Sequence, residues 1–273
     1  MMRTAQVNGI QMAWDDVGPP DAPAVLLIHG FPLGRWMWEA QHDAVTAAGY
    51  RLIVPDLRGF GDTAATPPPY SMDGYADDLA ALLDHLGVRR VVLGGLSMGG
   101  YVLFAFWRRH ADRVAALLLA DTRPTPDAPE AQQNRHRAIE EVQRAGVSSF
   151  TDGFTVGLLG AAAKADNPAL LGTLQERAAA NSAEGVMGAL AALAARPDST
   201  PTLATITAPT LIVVGAEDAV TPPAVHQEMG RAIAGSRVVT LPGAGHLSPM
   251  EAPALFNAAF GEFLAGARIE MAR

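Results

Sequence analysis

Short apolar runs that end in turn sequences recur along the chain and predict the strands of a sheet. Each run is almost continuously hydrophobic, which is typical of parallel strands covered on both faces. The runs lie at 24–28, 52–54, 91–93, 115–120, 211–214 and 238–241. Amphipathic stretches separate several of them, such as 74–86, where leucines recur at spacings of three and four residues before Gly87. Strands alternating with helices predict right-handed parallel crossovers and therefore an α/β fold.

The pattern departs from parallel crossovers at two places. Near the N-terminus, stretches 4–7 and 10–14 flank Asn8-Gly9, a strong hairpin signal, which predicts an antiparallel pair at the start of the sheet. Between Thr122 and Ser199 the patterns are helical instead of strand-like, with breaks at glycines and at Asn167-Pro168. The predicted helices cover 129–145, 148–159, 168–181 and 183–195. We therefore predict a mostly parallel sheet flanked by helices from residues 1–122 and 199–273, with an inserted all-helical lid at 123–198.

Composition narrows the classes of function. The 273 residues are 49% hydrophobic and 18% charged, as in globular proteins. A net charge of −8 with scattered basic residues argues against nucleic-acid binding, and the lack of cysteine excludes disulfides and a thiolate nucleophile. We find neither a signal-peptide pattern nor an apolar run of about 18 residues, so we expect a cytoplasmic protein without membrane association. A homo-oligomer is compatible with this composition.

One hydroxyl lies among glycines in the segment GGLSMGG at 94–100. A serine hydroxyl is a poor nucleophile unless a base takes its proton. The order of apolar strand, G-x-S-x-G and apolar helix matches the nucleophile elbow, a sharp turn that exposes the serine. Because such a match also arises by chance in a chain rich in small residues, Ser97 needs support from a base, an acid and an anion site elsewhere.

These groups follow other predicted strands. Asp218 and His246 come after the last two strands, so the order is serine, acid, histidine, and each residue lies at a carboxyl end, where open α/β sheets bind ligands. Asp121 also ends a strand and is the alternative acid. The backbone N–H groups of Phe31, after the first parallel strand, and of Met98 are the candidate donors to a developing oxyanion.

Five motifs together resemble the α/β-hydrolase superfamily: HGF at 29–31, PDLRGFGDT at 55–63, GLSMGG at 95–100, GAEDAVTPP at 215–223 and GAGHLSPMEAP at 243–253. The resemblance covers nearly the whole chain in family order. It implies that Ser97 is the nucleophile, His246 the base and then the acid, and Asp218 the residue that orients His246. It also implies that Phe31 and Met98 are the oxyanion donors.

The motifs favour two groups within this superfamily. The last three resemble oxoadipate enol-lactonases and small carboxylesterases, whereas HGFPLGRWMWEAQ at 29–41 is similar to arylesterases related to cofactor-free haloperoxidases. The resemblance implies hydrolysis of small to medium carboxylic esters through an acyl-enzyme, with no cofactor. A lactonase or a perhydrolase would use the same residues. A ligand receptor of the same fold would also keep these motifs.

The substrate is expected to be a small-molecule ester or lactone that contacts apolar side chains near the triad and in the lid. The candidate pocket residues are Trp36, Phe154, Leu158, Met187, Leu190, Val220 and Leu247. An anionic substrate would need a cation, for which Arg35 and Arg123 are the candidates.

The other histidines are interpreted as structural or solvated. His29 is expected to pack beneath the oxyanion loop. The solvated helix positions are His42, His85, His110, His136 and His226. Because no two histidines are four residues apart, the sequence has no helical metal pair, and we predict no metal.

Overall fold

The computed structural model describes residues 1–267 and contains one eight-stranded sheet. Residues 268–273, the end of the predicted core, lie outside the described part of the chain. The strands are β1 (Met2–Val7), β2 (Ile10–Val17), β3 (Ala24–Ile28), β4 (Arg51–Pro55), β5 (Val91–Leu96), β6 (Val114–Ala120), β7 (Thr210–Gly215) and β8 (Arg237–Leu241). Their order is β1-β2-β4-β3-β5-β6-β7-β8. Strands β1 and β2 are antiparallel, β2 is antiparallel to β4, and all other neighbours are parallel.

The N-terminal hairpin is as predicted. Asn8 and Gly9 both have positive φ, 48° and 79°, as a two-residue hairpin turn requires, and they connect the paired residues Val7 and Ile10. The turn places the antiparallel pair at the edge of the sheet, where most of β1 is exposed.

Helices cover both faces of the sheet, which explains why the central strands are hydrophobic throughout. The helices are α1 (His42–Ala47), α2 (Met72–His85), α3 (Met98–His110), α4 (Pro129–Ala145), α5 (Val147–Val156), α6 (Ala161–Asp166), α7 (Pro168–Ala179), α8 (Ala183–Ala194), α9 (Thr200–Leu203), α10 (Pro223–Ala232), α11 (Ser248–Glu251) and α12 (Pro253–Gly266). Along β3, Leu26 and Ile28 pack in the hydrophobic cluster of α2 and α3, whereas Val25 and Leu27 pack in that of α1 and α12. In the described chain, no helix combines the length and apolar character needed to cross a membrane.

The segment between β6 and β7 is helical, as predicted. Helices α4 and α8 pack together, as do α5 and α7. One helix was not predicted: α6 lies between Gly160 and the Asn167-Pro168 break. Its sequence, AAAKAD, is too short to show an amphipathic repeat. The function of this segment as a lid remains a prediction.

Candidate active site

Ser97 lies in a sharp turn between β5 and α3. Its φ of 53° and ψ of −112° are unusual for a residue with a side chain, and such strain persists only where the surroundings hold it. Here the N–H of Ser97 donates to the carbonyl of Ala120 (3.0 Å), and the hydroxyl of Thr122 donates to the carbonyl of Ser97 (2.8 Å). The end of β6 therefore holds the turn in place.

The glycines around Ser97 are needed for space. A Cβ at Gly95 would clash with the backbone of Gly99, and a Cβ at Gly99 would clash with the carbonyl of Ile28. A Cβ at Gly100 would clash with the side chain of Thr122. Because φ is not positive at these three glycines, their role is close packing of the strand, the turn and the helix.

The side chains of Ser97, His246 and Asp218 form a continuous hydrogen-bonded series. The Nε2 of His246 is 2.9 Å from the Oγ of Ser97, and its Nδ1 is 2.9 Å from the Oδ2 of Asp218. These residues follow β5, β8 and β7 respectively, so three strand ends at one edge of the sheet bring them together. Both His246 and Asp218 are buried.

The surroundings of Asp218 keep its carboxylate ionised. Burial would raise its pKa, but hydrogen bonds and charge from His246, with hydrogen bonds from Thr221, outweigh burial and lower it below 3.8. Its Oδ1 accepts the N–H groups of Val220 (2.8 Å) and Thr221 (2.9 Å), and its Oδ2 accepts the Thr221 hydroxyl (2.6 Å). An ionised Asp218 can only accept, so Nδ1 of His246 carries a proton and Nε2 is free to accept one from Ser97.

Asp121, the alternative acid, has other partners. Its Oδ1 accepts the N–H of Gly215 (2.9 Å), and its Oδ2 is hydrogen-bonded to the Ser248 hydroxyl. Burial, together with the nearby charge of Asp218, raises the pKa of Asp121 well above 3.8. Through these two contacts Asp121 joins the ends of β6 and β7 to the loop that follows His246.

Phe31 and Met98 line a cavity together with Ser97 and His246. Within residues 1–267, the backbone N–H groups of Phe31 and Met98 have no hydrogen-bond acceptor. Both amides are therefore available to an oxygen atom in the cavity, and Met98 is also the first residue of helix α3, whose dipole favours negative charge.

The cavity beside Ser97 has a volume of about 210 Å³. Three of the predicted pocket residues line it, namely Phe154, Leu158 and Val220. The first two belong to the helical segment, so this segment forms the wall opposite the turn at Ser97. A larger cleft, of about 690 Å³, lies at the amino ends of the strands, where Ala24 and Arg51 begin β3 and β4 and Arg90 precedes β5. Its lining includes neither Ser97 nor Asp218 nor His246.

Four predicted pocket residues lie elsewhere. Trp36 stacks against the guanidinium of Arg177, whose carbon is 5.0 Å from the ring centre. Met187 and Leu190 pack in the hydrophobic core under α8, and Leu247 is buried in the core on the other face of the sheet. Their helices and loops are next to the site, but packing turns their side chains away from the cavity.

Five further residues line the cavity: Tyr101, Arg123, Arg135, Gly157 and Leu193. Tyr101 had a usable signal, because it lies one helical turn after Ser97 and therefore on the same side of α3. Leu193 lies one turn after Leu190 on α8, so the predicted residue lies on the same side of the helix but one turn before the residue that lines the cavity. Arg135 is brought to the cavity by the packing of α4, for which the sequence pattern gives no signal.

Arg35 is not at the cavity. It pairs with the buried Asp56, with Asp62 (2.8 Å) and with Asp15 (3.4 Å), and it joins the loop after β3 to the hairpin. Of the two predicted cation candidates, Arg123 alone lines the cavity.

Two histidines are buried and accept backbone N–H groups. His29 accepts from Leu57 (3.0 Å), which agrees with a structural role, and its support of an oxyanion loop stays a prediction. The prediction that His226 is solvated was wrong, because its Nε2 accepts the N–H of Thr122 (3.0 Å). Burial lowers the pKa of both imidazoles, that of His226 to about 4. Among residues 1–267, no cluster of three or more histidine, aspartate or glutamate residues could hold a metal ion.

These features place the protein in a known class. Residues 23–253 match the family of the alpha/beta hydrolase fold, and the chain belongs to this family. The chain is similar to the structure of a thermophilic esterase from Thermogutta terrifontis with malate bound, with a TM-score of 0.93 and 41% identity over 98% of this chain and 99% of that chain. It is also similar to 3-oxoadipate enol-lactonase 2 of Acinetobacter baylyi, with 30% identity over 93% of each chain. The predicted similarity to esterases and enol-lactonases is thereby confirmed.

Epoxide hydrolases are similar over a shorter part. Epoxide hydrolase 2 of Siraitia grosvenorii is 43% identical over 117 residues, which are 42% of this chain and 36% of that protein. The chain thus spans little more than a third of this relative's length. The similarity supports a hydrolase fold but extends over less of the chain than that to the esterase and the enol-lactonase.

Proposed function

We propose that this protein is a serine hydrolase that cleaves small carboxylic esters through an acyl-enzyme. The observation that carries the proposal is the hydrogen-bonded series of Ser97, His246 and Asp218, which opens onto a cavity with two available backbone N–H groups. A nucleophile, a base and an oxyanion site are the parts that acyl transfer requires.

The proposed reaction proceeds in two halves. Nε2 of His246 takes the proton of Ser97 while Oγ attacks the ester carbonyl, and the oxyanion accepts the N–H groups of Phe31 and Met98. His246 then donates this proton to the leaving alcohol, and the acyl group remains on Ser97. In the second half, water gives a proton to His246 as it attacks the acyl-enzyme carbonyl. The bond between the acyl carbon and Oγ then breaks, His246 returns the proton to Ser97, and the acid leaves. Asp218 holds the imidazole in the required tautomer throughout.

The size of the cavity supports small substrates. Its volume of about 210 Å³ is below the roughly 300–1,000 Å³ of pockets for drug-sized ligands. Phe154, Leu158 and Leu193 restrict it from the helical segment, for which we retain the role of a lid at 123–198. We therefore expect acetyl and butyryl esters to be better substrates than octanoyl esters.

A lactonase is the second candidate, favoured by the similarity to the enol-lactonase of Acinetobacter baylyi over 93% of the chain. The steps are the same, except that the leaving alcohol stays attached to the acyl group. The distinction therefore depends on which ring or chain the cavity accepts.

The proposal is tested with a panel of p-nitrophenyl acetate, butyrate and octanoate, phenyl acetate and small lactones, with and without peroxide. Ser97→Ala is expected to lower kcat by about 10⁴-fold or more, since loss of the nucleophile in a serine triad has costs of this size. Ser149→Ala, which removes an exposed hydroxyl, is the matched control, and thermal melting confirms that both variants fold. Retention of more than a tenth of the activity in Ser97→Ala would refute the mechanism. A higher kcat/KM for lactones than for all esters would favour the lactonase.

A further inference from the structure

A cluster of three arginines around one buried carboxylate adjoins the cavity. The side chain of Asp127 is fully buried and pairs with Arg123 (2.8 Å), Arg135 (3.2 Å) and Arg196 (2.8 Å). Within the described chain, these arginines have no other acidic partner. Three guanidinium groups against one carboxylate leave an excess of two positive charges.

The three arginines have different environments. Arg196 is 3% exposed, donates to the carbonyls of Leu193 and Thr125, and stacks on the ring of Tyr101 at 4.2 Å, so it is committed to the protein. Arg123 and Arg135 are 28% and 22% exposed, and both line the cavity that contains Ser97 and His246. The excess charge therefore faces the site of the proposed reaction.

Arg123 and Arg135 also have unused donors. Each makes one hydrogen bond to Asp127, and most of their remaining N–H groups have no acceptor within residues 1–267. The Nε atoms of Arg123 and of Arg196 are both buried without a partner. Leaving charged donors unpaired beside apolar side chains such as Phe154 and Leu193 is unfavourable.

Asp127 holds the two arginines in place. Burial would raise its pKa, but hydrogen bonds and charge from Arg196 and Arg135 lower it below 3.8, so it remains an anion. It accepts one hydrogen bond from each of the two guanidinium groups, and both arginines also line the cavity. The planar donor fork of arginine is suited to carboxylates in particular.

We infer that the substrate carries a carboxylate group, which binds Arg123 and Arg135 while the ester carbonyl lies at Ser97. This inference rests on the proposed ester hydrolysis. In a cavity of about 210 Å³, the carboxylate and the ester belong to one small molecule, such as a half-ester of a short dicarboxylic acid or an ester of a short hydroxy acid.

Two pairs of substrates that differ by a single charge test the inference and the side that carries the charge. Mono-p-nitrophenyl glutarate and its terminal amide place the group on the acyl side, whereas 3-acetoxybenzoate and 3-acetoxybenzamide place it on the alcohol side. Wild type is expected to prefer the carboxylate member of at least one pair by kcat/KM. At constant ionic strength, Arg135→Gln should reduce this preference about 10- to 100-fold, the effect of losing a charge-assisted hydrogen bond.

Arg137→Gln is the matched control, because Arg137 lies on the same helix, is exposed and lies outside the cavity lining. It removes the same charge and should leave the preference unchanged. Arg123→Gln is the second test variant, in case Arg135→Gln does not fold. Equal kcat/KM values for both members of each pair, or a preference that survives in both cavity variants, would overturn the inference.

Calorimetry separates the anion site from the reaction. Ser97→Ala is titrated with monomethyl glutarate, and the titration is repeated after Arg135→Gln is added. Binding weakened by Arg135→Gln without Ser97-dependent cleavage of any ester supports the anion site and refutes the proposed function. Cleavage of neutral esters with binding indifferent to the arginines refutes the anion site alone.

Discussion

Replacing Asp218 by asparagine changes one side-chain oxygen into an NH₂ group at almost constant size. The N–H groups of Val220 and Thr221 point at Oδ1 from 2.8 and 2.9 Å, so they require an oxygen there. The oxygen of asparagine is therefore expected at the Oδ1 position. Its NH₂ group then occupies the Oδ2 position, 2.9 Å from Nδ1 of His246.

This orientation imposes the wrong tautomer on the histidine. An NH₂ group donates to Nδ1 of His246, so the imidazole proton moves to Nε2, which can no longer accept the proton of Ser97. The same substitution in a serine triad lowers kcat by about 10⁴-fold, or roughly 5 kcal/mol in activation free energy. We expect a loss of this size here, with a much smaller change in KM.

The assay is steady-state hydrolysis of p-nitrophenyl acetate at neutral pH, with Ser97→Ala as the blank and thermal melting to verify folding. Asp121→Asn is the control, because it makes the same change of carboxyl to amide at the other strand-end acid, whose partners are Gly215 and Ser248 instead of His246. A loss of less than about tenfold in Asp218→Asn would refute the reasoning, since a wrong tautomer costs far more. A larger loss in Asp121→Asn would assign the role of the acid to Asp121.

Three further predictions concern a buried histidine, a glycine beside Ser97 and a hydrogen-bond acceptor in the loop of His246. Burial lowers the pKa of His226 from 6.5 to about 4, so the unfolded state binds more protons between these values and stability falls as the pH drops through them. The His226→Gln variant should lose less stability than wild type over this interval, by up to about 3 kcal/mol, as measured by urea unfolding. Gly95→Ala should lower Tm and activity and reduce the free energy of unfolding by about 1–3 kcal/mol, because the added Cβ has no room. Gly153→Ala is the control and should change neither, because a Cβ there meets open space. Glu251 accepts the N–H groups of Gly160, Gly245 and Leu247 around His246. Glu251→Gln replaces one of the two acceptor oxygens by an NH₂ group, so the loop of His246 should shift and kcat should fall more than KM changes.

Each of these predictions has a contradicting result. Parallel stability curves for wild type and His226→Gln between pH 4 and 6.5 would show that the imidazole is not neutral by burial. An unchanged Tm in Gly95→Ala would show that the turn can widen. An unchanged kcat in Glu251→Gln would show that the loop of His246 keeps its position without this acceptor.

Much of the sheet could be predicted, because its chemistry is local. Strands β3, β4, β5 and β7 are buried at every position, and such strands are hydrophobic on both faces. The order of the strands is not local: β3 lies between β4 and β5, although β4 follows β3 in the chain. Because crossovers between parallel strands are right-handed, the face of the sheet that each connecting helix covers decides on which side the next strand is added.

The residues that line the cavity were harder to predict than the positions of Ser97, Asp218 and His246, for a physical reason. Ser97, Asp218 and His246 follow strand ends, and parallel strands bring their carboxyl ends to one edge of the sheet. The side chains of the helical segment depend instead on the rotation of each helix, which tertiary packing sets. Leu190 and Leu193 lie one turn apart on α8 and both pack in the core, but of the two Leu193 alone lines the cavity, because packing also sets how far each helix extends past the site.

Which of two strand-end acids is ionised is also a tertiary property. Two neighbouring carboxylates in a buried site repel each other, so the proton goes to the one with fewer stabilising donors. Asp218 accepts two backbone N–H groups, the hydroxyl of Thr221 and Nδ1 of His246, whereas Asp121 has Gly215 and Ser248 as partners. These donors lower the pKa of Asp218, and the charge of Asp218 helps to raise the pKa of Asp121. The sequence places both acids correctly at strand ends, but only the donors around them distinguish a partner for the histidine from a structural link.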